Sequence, residues 1–177
     1  FELRQRASEL TAGDGSLLPP IVDFDALYIP ESYENVVLIA PQLAFHEVTG
    51  ARLLGTDGWY HEDLVRLGRE HVNGALFTAN FYPESHVPYV REFTARFEET
   101  FGRPPGMFAA QAYDATDLVL AQLARGRQRR ESVRKGILGV DAFPGVSGVI
   151  AMGADGNAHK RPYLLGVTRG RVLQYDD

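Results

Sequence analysis

Two carboxylates, three hydroxyls (one of them phenolic) and one indole sit in a pair of short polar stretches, Pro30-Glu31-Ser32-Tyr33 and Thr56-Asp57-Gly58-Trp59, each directly after an apolar run. Side chains of these types recognise a ligand through charge-assisted hydrogen bonds and ring stacking; nothing in their spacing makes a nucleophile or a proton relay. Asp57 with Glu31 would favour a cationic ligand, unless Glu31 simply faces solvent. Each residue also has a local use. Asp57-Gly58 is an ordinary turn pair, because Asp hydrogen-bonds nearby backbone and Gly tolerates the turn. Ser32 suits a helix N-cap, and Tyr33 a rim position. Trp59, the only Trp in the chain, either stacks on a ligand or caps a core, and the core is the simpler expectation. Phe81 and Tyr82 carry the same two readings.

Patterns that would carry catalysis are missing. There is no G-x-S-x-G elbow, no G-x-x-x-x-G-K-[ST] loop and no G-x-G-x-x-G after a strand. His46-Glu47 and His61-Glu62 lack the second His of a zinc helix, and no metal or cofactor is expected. Cys is absent, which removes disulfides, thiolate metal sites and cysteine nucleophiles. The expectation is a protein that is not an enzyme. A formal charge of −5 argues against a general nucleic-acid binder. The basic run Arg125-Gly126-Arg127-Gln128-Arg129-Arg130, with Arg134 and Lys135, is read as a solvated helix end.

The elements that must hold the two polar stretches read as strand, helix, strand. Residues 24–29 form a short apolar run stopped by Pro30, and residues 52–55 a second one stopped by Thr56-Asp57-Gly58. The helix between them, over residues 33–45, offers Val36, Val37, Ala40, Leu43 and Ala44 as one face, and Pro41 predicts a kink or a break. A helical crossover makes the strands parallel neighbours, and in open parallel sheets ligands lie beyond the carboxyl ends of the strands. That places both polar stretches at one edge.

Further on, residues 61–71 read as a helix and 74–78 as a third strand, which ends in a third loop near Asn80-Phe81-Tyr82-Pro83. A helix follows from Pro88, with Val90, Phe93, Phe97 and Phe101 on one stripe, closed by Gly102 and Pro104. A long helix over 109–125 puts Ala112, Tyr113, Thr116, Val119, Leu120 and Leu123 on one face, the expected core side, with Gly126 as its C-terminal stop. A short helix spans 130–138, and residues 163–167 and 171–175 alternate as a hairpin around Arg169-Gly170. Residues 2–10 read as the tail of a helix and 11–20 as a loop. With 177 residues, 45% hydrophobic and 23% charged, the composition is that of a globular domain, and no apolar run approaches the ~20 residues of a membrane-spanning helix.

FDALYIP, LLGTDGW, AQAYDATDLVLAQL, FPGVSGVIAMGADGN and RPYLLGVTRGRVLQ together resemble the type I periplasmic binding proteins, in the branch of the branched-chain amino-acid-binding proteins. The resemblance implies an α/β fold with a parallel sheet flanked by helices. It further implies an extracytoplasmic protein that closes around a small amino-acid-like ligand and hands it to the membrane component of an ABC transporter. It assigns ligand contact to Asp57, whose turn matches the family's G-x-[DE]-G that pairs with an ammonium group, and to Gly58, Ser32, Tyr33, Trp59 and, on the long helix, Tyr113. Pro30-Glu31-Ser32 departs from the small, Gly-rich or aromatic loop usual in the amino-acid binders.

PQLAF and LLG resemble a sub-branch of penicillin-binding protein activators, which implies an alternative: a lipoprotein that uses the same fold to regulate a cell-wall synthase. The family's complete chain is about twice as long, so the resemblance makes this a C-terminal half, with the missing N-terminal half as a partner. Residues 1–106 are then second-lobe, 107–147 a first-lobe helical segment near the hinge, and 148–177 a return to the second lobe with a terminal hairpin.

Overall fold

The computed structural model describes residues 22–175. The helix tail expected over residues 2–10 and the loop over 11–20 lie outside the described residues. Eight strands and five α-helices are described. A five-stranded sheet runs in the order β1-β2-β3-β7-β8, and β4, β5 and β6 form a second sheet. The chain separates into two compact units. The first contains the residues up to Leu76 and Val167–Arg171; the second contains Phe77–Gly166 and the residues from Val172 on.

In the first unit, β1 (Ala26–Tyr28) and β2 (Arg52–Gly55) pair in parallel, with Leu27 opposite Leu53. β1 is shorter than the apolar run, and Phe24 is exposed. Between them runs α1 (Tyr33–Phe45), whose buried residues are Val36 and Ala40; the expected face narrows, since Ala44 is exposed. Pro41 lies inside α1 without dividing it, so the expected break does not occur. A proline N–H lost four residues below the helix end leaves only the Val37 carbonyl without its donor, and the helix ends at Phe45 regardless. A 3-10 turn, Asp57–Trp59, leads to α2 (Glu62–Gly68) and a second 3-10 turn, Arg69–Val72. The single helix expected over 61–71 is divided after Gly68, where Arg69 takes φ 48°. Gly68 lies against Val72, and a Cβ there would come within 2.7 Å of a Val72 methyl. Trp59, Leu64, Val36 and Val72 are fully buried and make the core of this unit.

β3 (Leu76–Ala79) starts where the first unit ends. α3 (Pro88–Phe101) begins with Pro at its first turn, where the missing N–H costs nothing, and ends at Gly102 in the left-handed conformation. Its stripe is buried only at Val90 and Phe93, whereas Phe101 is largely exposed. Val90 and Phe93 pack with Phe81, Ala110 and Val146 in the core of the second unit. Phe81 and Tyr82 are thus core residues, each 3% exposed. The Tyr82 hydroxyl lies 3.2 Å from Glu84 Oε2 and 3.3 Å from the Val172 carbonyl, and burial pushes its pKa up to about 12.

α4 (Met107–Ala124) and α5 (Arg130–Leu138) follow. α4 reverses the sequence expectation. Its buried residues are Ala110, Asp114, Leu118 and Gln122, while Ala112, Tyr113, Thr116, Val119, Leu120 and Leu123 are exposed. The strands β4 (Phe143–Gly145), β5 (Gly148–Met152) and β6 (Ala158–Lys160) pair antiparallel. Asp114 fastens α4 to this sheet. Its carboxylate accepts from the backbone N–H of Val146 (2.6 Å) and Ser147 (2.9 Å) and from the Ser147 hydroxyl, to which Lys160 Nζ donates at 2.6 Å. Burial lowers the Lys160 pKa, and the charge of Asp114 opposes that shift.

The chain closes with β7 (Tyr163–Thr168) and β8 (Arg171–Gln174), a hairpin whose two loop residues, Arg169 and Gly170, both have positive φ, as a two-residue turn matched to strand twist requires. Among the described residues no helix is long and apolar enough to cross a membrane.

Candidate functional site

The first unit brings the two polar stretches together. Gly58 lies so close to the preceding loop that a Cβ on it would sit 3.4 Å from the Glu31 carbonyl oxygen and from Ser32 Cα. The residues after β1 and after β2 therefore form one surface at the carboxyl ends of two parallel strands. Glu31, Ser32, Asp57 and Gly58 are all exposed on it. Asp57 opens the 3-10 turn, and its carbonyl accepts from the Tyr60 N–H at 3.1 Å.

Ser32 occupies the N-cap of α1 but does not cap it with its side chain. Its carbonyl accepts from the N–H groups of Asn35 and Val36, both at 3.1 Å. Its hydroxyl turns instead to Glu34, and that hydrogen bond holds the Glu34 carboxyl below the usual range. Asn35 Nδ2 donates to Glu31 Oε2 at 2.8 Å, which fixes the second carboxylate of this loop.

Tyr33 stacks flat on His61, with ring centroids 4.0 Å apart and planes 3° from parallel. Its phenol pKa is raised, first by desolvation and then by the charge of Glu34. His61 in turn caps α2, its Nδ1 accepting from the Asp63 N–H at 3.1 Å. Asp63 is held below the usual carboxylate range by Arg66, whose Nε donates to Oδ1 at 2.6 Å. Sequence reasoning missed His61, because it placed this residue inside a helix. The signal was present: a polar residue followed by Glu62-Asp63 is an N-cap before an acidic first turn.

Trp59 lies beneath this surface. It is 0% exposed, and its Nε1 donates to the Ile29 carbonyl at 3.2 Å, so it supports the loops from within the core. Gly55 makes room for it: a Cβ there would fall 2.2 Å from the indole ring. Tyr113 belongs to the second unit. Its ring is 47% exposed and packs 4.7 Å from Phe93, so the core position favoured for it is not the one it takes. It borders a cavity of about 430 Å³ with Phe93, Phe97 and Val146. Another cavity in this unit, of about 530 Å³, is lined by Gln111, Ala115, Leu118, Val119, Met152 and Lys160 among others. No cluster of acidic and His residues that would hold a metal occurs among the described residues.

Residues 25–171 match the model of the family described as periplasmic binding protein, and the chain belongs to that family. Three solved structures are similar to it. A candidate branched-chain amino acid ABC transporter protein from Rhodospirillum rubrum is 26% identical over 85% of this chain and 44% of its own, with a TM-score of 0.81. The leucine-binding protein LivK of Thermotoga maritima is 30% identical over 86% of this chain and 44% of its own, with a TM-score of 0.65. The substrate-binding protein LivJ of Streptococcus pneumoniae, solved with isoleucine, shares the fold at 22% identity and a TM-score of 0.61, over 97% of this chain and 48% of its own. The chain thus spans about half the length of these relatives. No curated protein matches it. The relatives are binding proteins of transport systems, and the penicillin-binding protein activator and lipoprotein alternative draws no support from them.

Proposed function

We propose that this chain is the ligand-recognising portion of an extracytoplasmic solute-binding protein that captures a small amino-acid-like solute for ABC-type uptake and performs no chemistry on it. The observation that carries this reading is the approach of Gly58 to the Glu31-Ser32 backbone, which sets Asp57 and Ser32 on one exposed surface at the ends of two parallel strands. Asp57 would receive the ligand's ammonium group. Ser32 and the rim formed by Tyr33 on His61 would border it, and the neighbouring carboxylates Glu31 and Glu34 add negative potential that favours a cation. Trp59 serves the site from below, as the floor that keeps both loops in register.

Two of the relatives support an amino-acid ligand. One carries leucine in its name and another was solved with isoleucine, and this chain keeps the Gly55-Thr56-Asp57-Gly58 turn. The test is calorimetric titration of the protein made from its complete reading frame against amino acids, with benzoate as an anion that lacks the ammonium group. An amino acid should bind and benzoate should not. Asp57→Asn should weaken amino-acid binding by about 10- to 150-fold, the loss of a charge-assisted hydrogen bond worth roughly 1.5–3 kcal/mol. Unchanged affinity in the variant would remove Asp57 from the site, and a protein that prefers benzoate would overturn the ligand class.

A further inference from the structure

Asn73-Gly74 is the one Asn-Gly pair in the 177 residues, and it lies in an exposed turn just before β3. Such a pair is the least hindered for attack of a backbone nitrogen on the preceding side-chain amide, since glycine has no Cβ and turns freely. The fold nevertheless requires both residues. Gly74 takes φ 85°, which disfavours a side chain even though a Cβ there would meet nothing within 4 Å. Asn73 Oδ1 accepts from the Arg169 N–H at 2.9 Å. The same contacts hold the reactive atoms still. The Gly74 N–H, whose proton must leave before the nitrogen can attack, donates to the Val167 carbonyl at 2.8 Å, and the Val167 N–H donates to the Ala75 carbonyl at 3.0 Å. All of these residues belong to the first unit.

We propose that Asn73-Gly74 is a gated modification site: it is inert while Val167–Arg171 lies against it, and it converts to isoaspartate when that return segment lifts away. Local opening of this kind needs less free energy than unfolding the chain. Once the Gly74 amide is released and loses its proton, its nitrogen bonds to Asn73 Cγ. The Cγ–Nδ2 bond breaks, and the side-chain nitrogen leaves as ammonia. Water then opens the resulting five-membered imide at one carbonyl or the other, giving aspartate or isoaspartate with no change of oxidation state. Aspartate at 73 still offers the Arg169 N–H an acceptor. Isoaspartate does not fit, because its main chain runs through the side-chain carbon and is one atom longer, so the Gly74 N–H and the Ala75 carbonyl can no longer both meet Val167. The gate cannot close on that product, which makes the conversion a permanent record of opening. The inference does not depend on which solute binds.

The test incubates the protein made from its complete reading frame in mildly alkaline buffer, folded and in denaturant, and follows each asparagine peptide by mass spectrometry that separates aspartate from isoaspartate. In denaturant Asn73 should convert well before Asn35, Asn80 and Asn157, which precede Val36, Phe81 and Ala158. In the folded protein it should convert at least tenfold more slowly than in denaturant. Val167→Ala, which loosens the buried return strand, should raise the folded rate severalfold, whereas Val90→Ala in the core of the second unit should leave it unchanged. A measurement on the unaltered protein supports these variants: in low urea, deamidation of Asn73 and hydrogen exchange of the Gly74 amide should rise together. Equal rates in the folded and denatured protein would overturn the gate. So would equal acceleration by the two substitutions, or exchange at Gly74 that rises while deamidation does not. Conversion in denaturant no faster than at the other three asparagines would overturn the site itself. Purified isoaspartate-73 protein should melt below Asn73→Asp, and identical melting would overturn the permanence of the record.

Discussion

Asp57 and Trp59 are two residues apart in sequence and do opposite things. Asp57 is exposed and faces outward, whereas Trp59 is the largest fully buried side chain and holds the turn from inside. The strictest local requirement belongs to Gly55, which lies under the indole. Gly55→Ala should cost about 1–3 kcal/mol through overpacking, read as a lower denaturation midpoint by the fluorescence of the single Trp. Asp114→Ala should cost at least as much. It strands two backbone N–H groups and a hydroxyl that are buried with it, each worth roughly 1–3 kcal/mol when unsatisfied, and Asp114→Asn should recover only part of the loss.

Glu34 offers a test by pH. Its carboxyl pKa is lowered in the folded chain by the Ser32 hydroxyl, so its contribution to stability is present above the unfolded value and fades as pH falls through the folded one. A carbon-detected NMR titration should find Glu34 below an ordinary glutamate, and Ser32→Ala should return it towards that value. At this scale the sequence disclosed residue types well and directions poorly. Ser32 stands at an N-cap position, but a carboxylate two residues on takes its hydroxyl. His61 joins the site by stacking on a residue 28 positions earlier, which no local pattern records.

The strand and helix order was legible, because the turn residues Pro30, Asp57-Gly58, Gly102 and Arg169-Gly170 mark the ends that the backbone then uses. β2 and α1 fall at the expected residues. Pro41 shows where a local rule is weaker than its surroundings: one missing hydrogen bond near the end of a packed helix is tolerated, since Val36 and Ala40 anchor the turn before it. Pro41→Ala should therefore stabilise α1, by up to about 3 kcal/mol on the helix-propensity scale, and the gain would appear as a higher melting temperature with the helical circular dichroism unchanged or slightly increased. α4 failed in a more instructive way. Its apolar periodicity runs along a face that is exposed, while Ala110, Asp114, Leu118 and Gln122 on the other side are buried. Periodicity tells which residues share a face, and it does not tell which face the fold buries.

Across the whole molecule, the division into two units is interrupted by one short return. Val167–Arg171 belongs with the first unit although the residues directly before it, from Phe77 to Gly166, and those after it, from Val172 on, belong with the second. The stitching is specific: Gly74 N–H donates to the Val167 carbonyl at 2.8 Å, Val167 N–H to the Ala75 carbonyl at 3.0 Å, and Arg169 N–H to Asn73 Oδ1 at 2.9 Å across 96 residues of chain. Such contacts carry the loop-closure entropy of everything between them, and high contact order slows folding. A ribosome delivers this chain from its N-terminal end, so residues 22–76 emerge long before the strand that completes them. Until that strand arrives, the Gly74 amide and the Ala75 carbonyl have no native partner and present an open strand edge. Of these two units, the one whose synthesis starts earlier must wait for residues made after most of the other, and that interval is when the nascent chain is most exposed to pairing with the wrong neighbour.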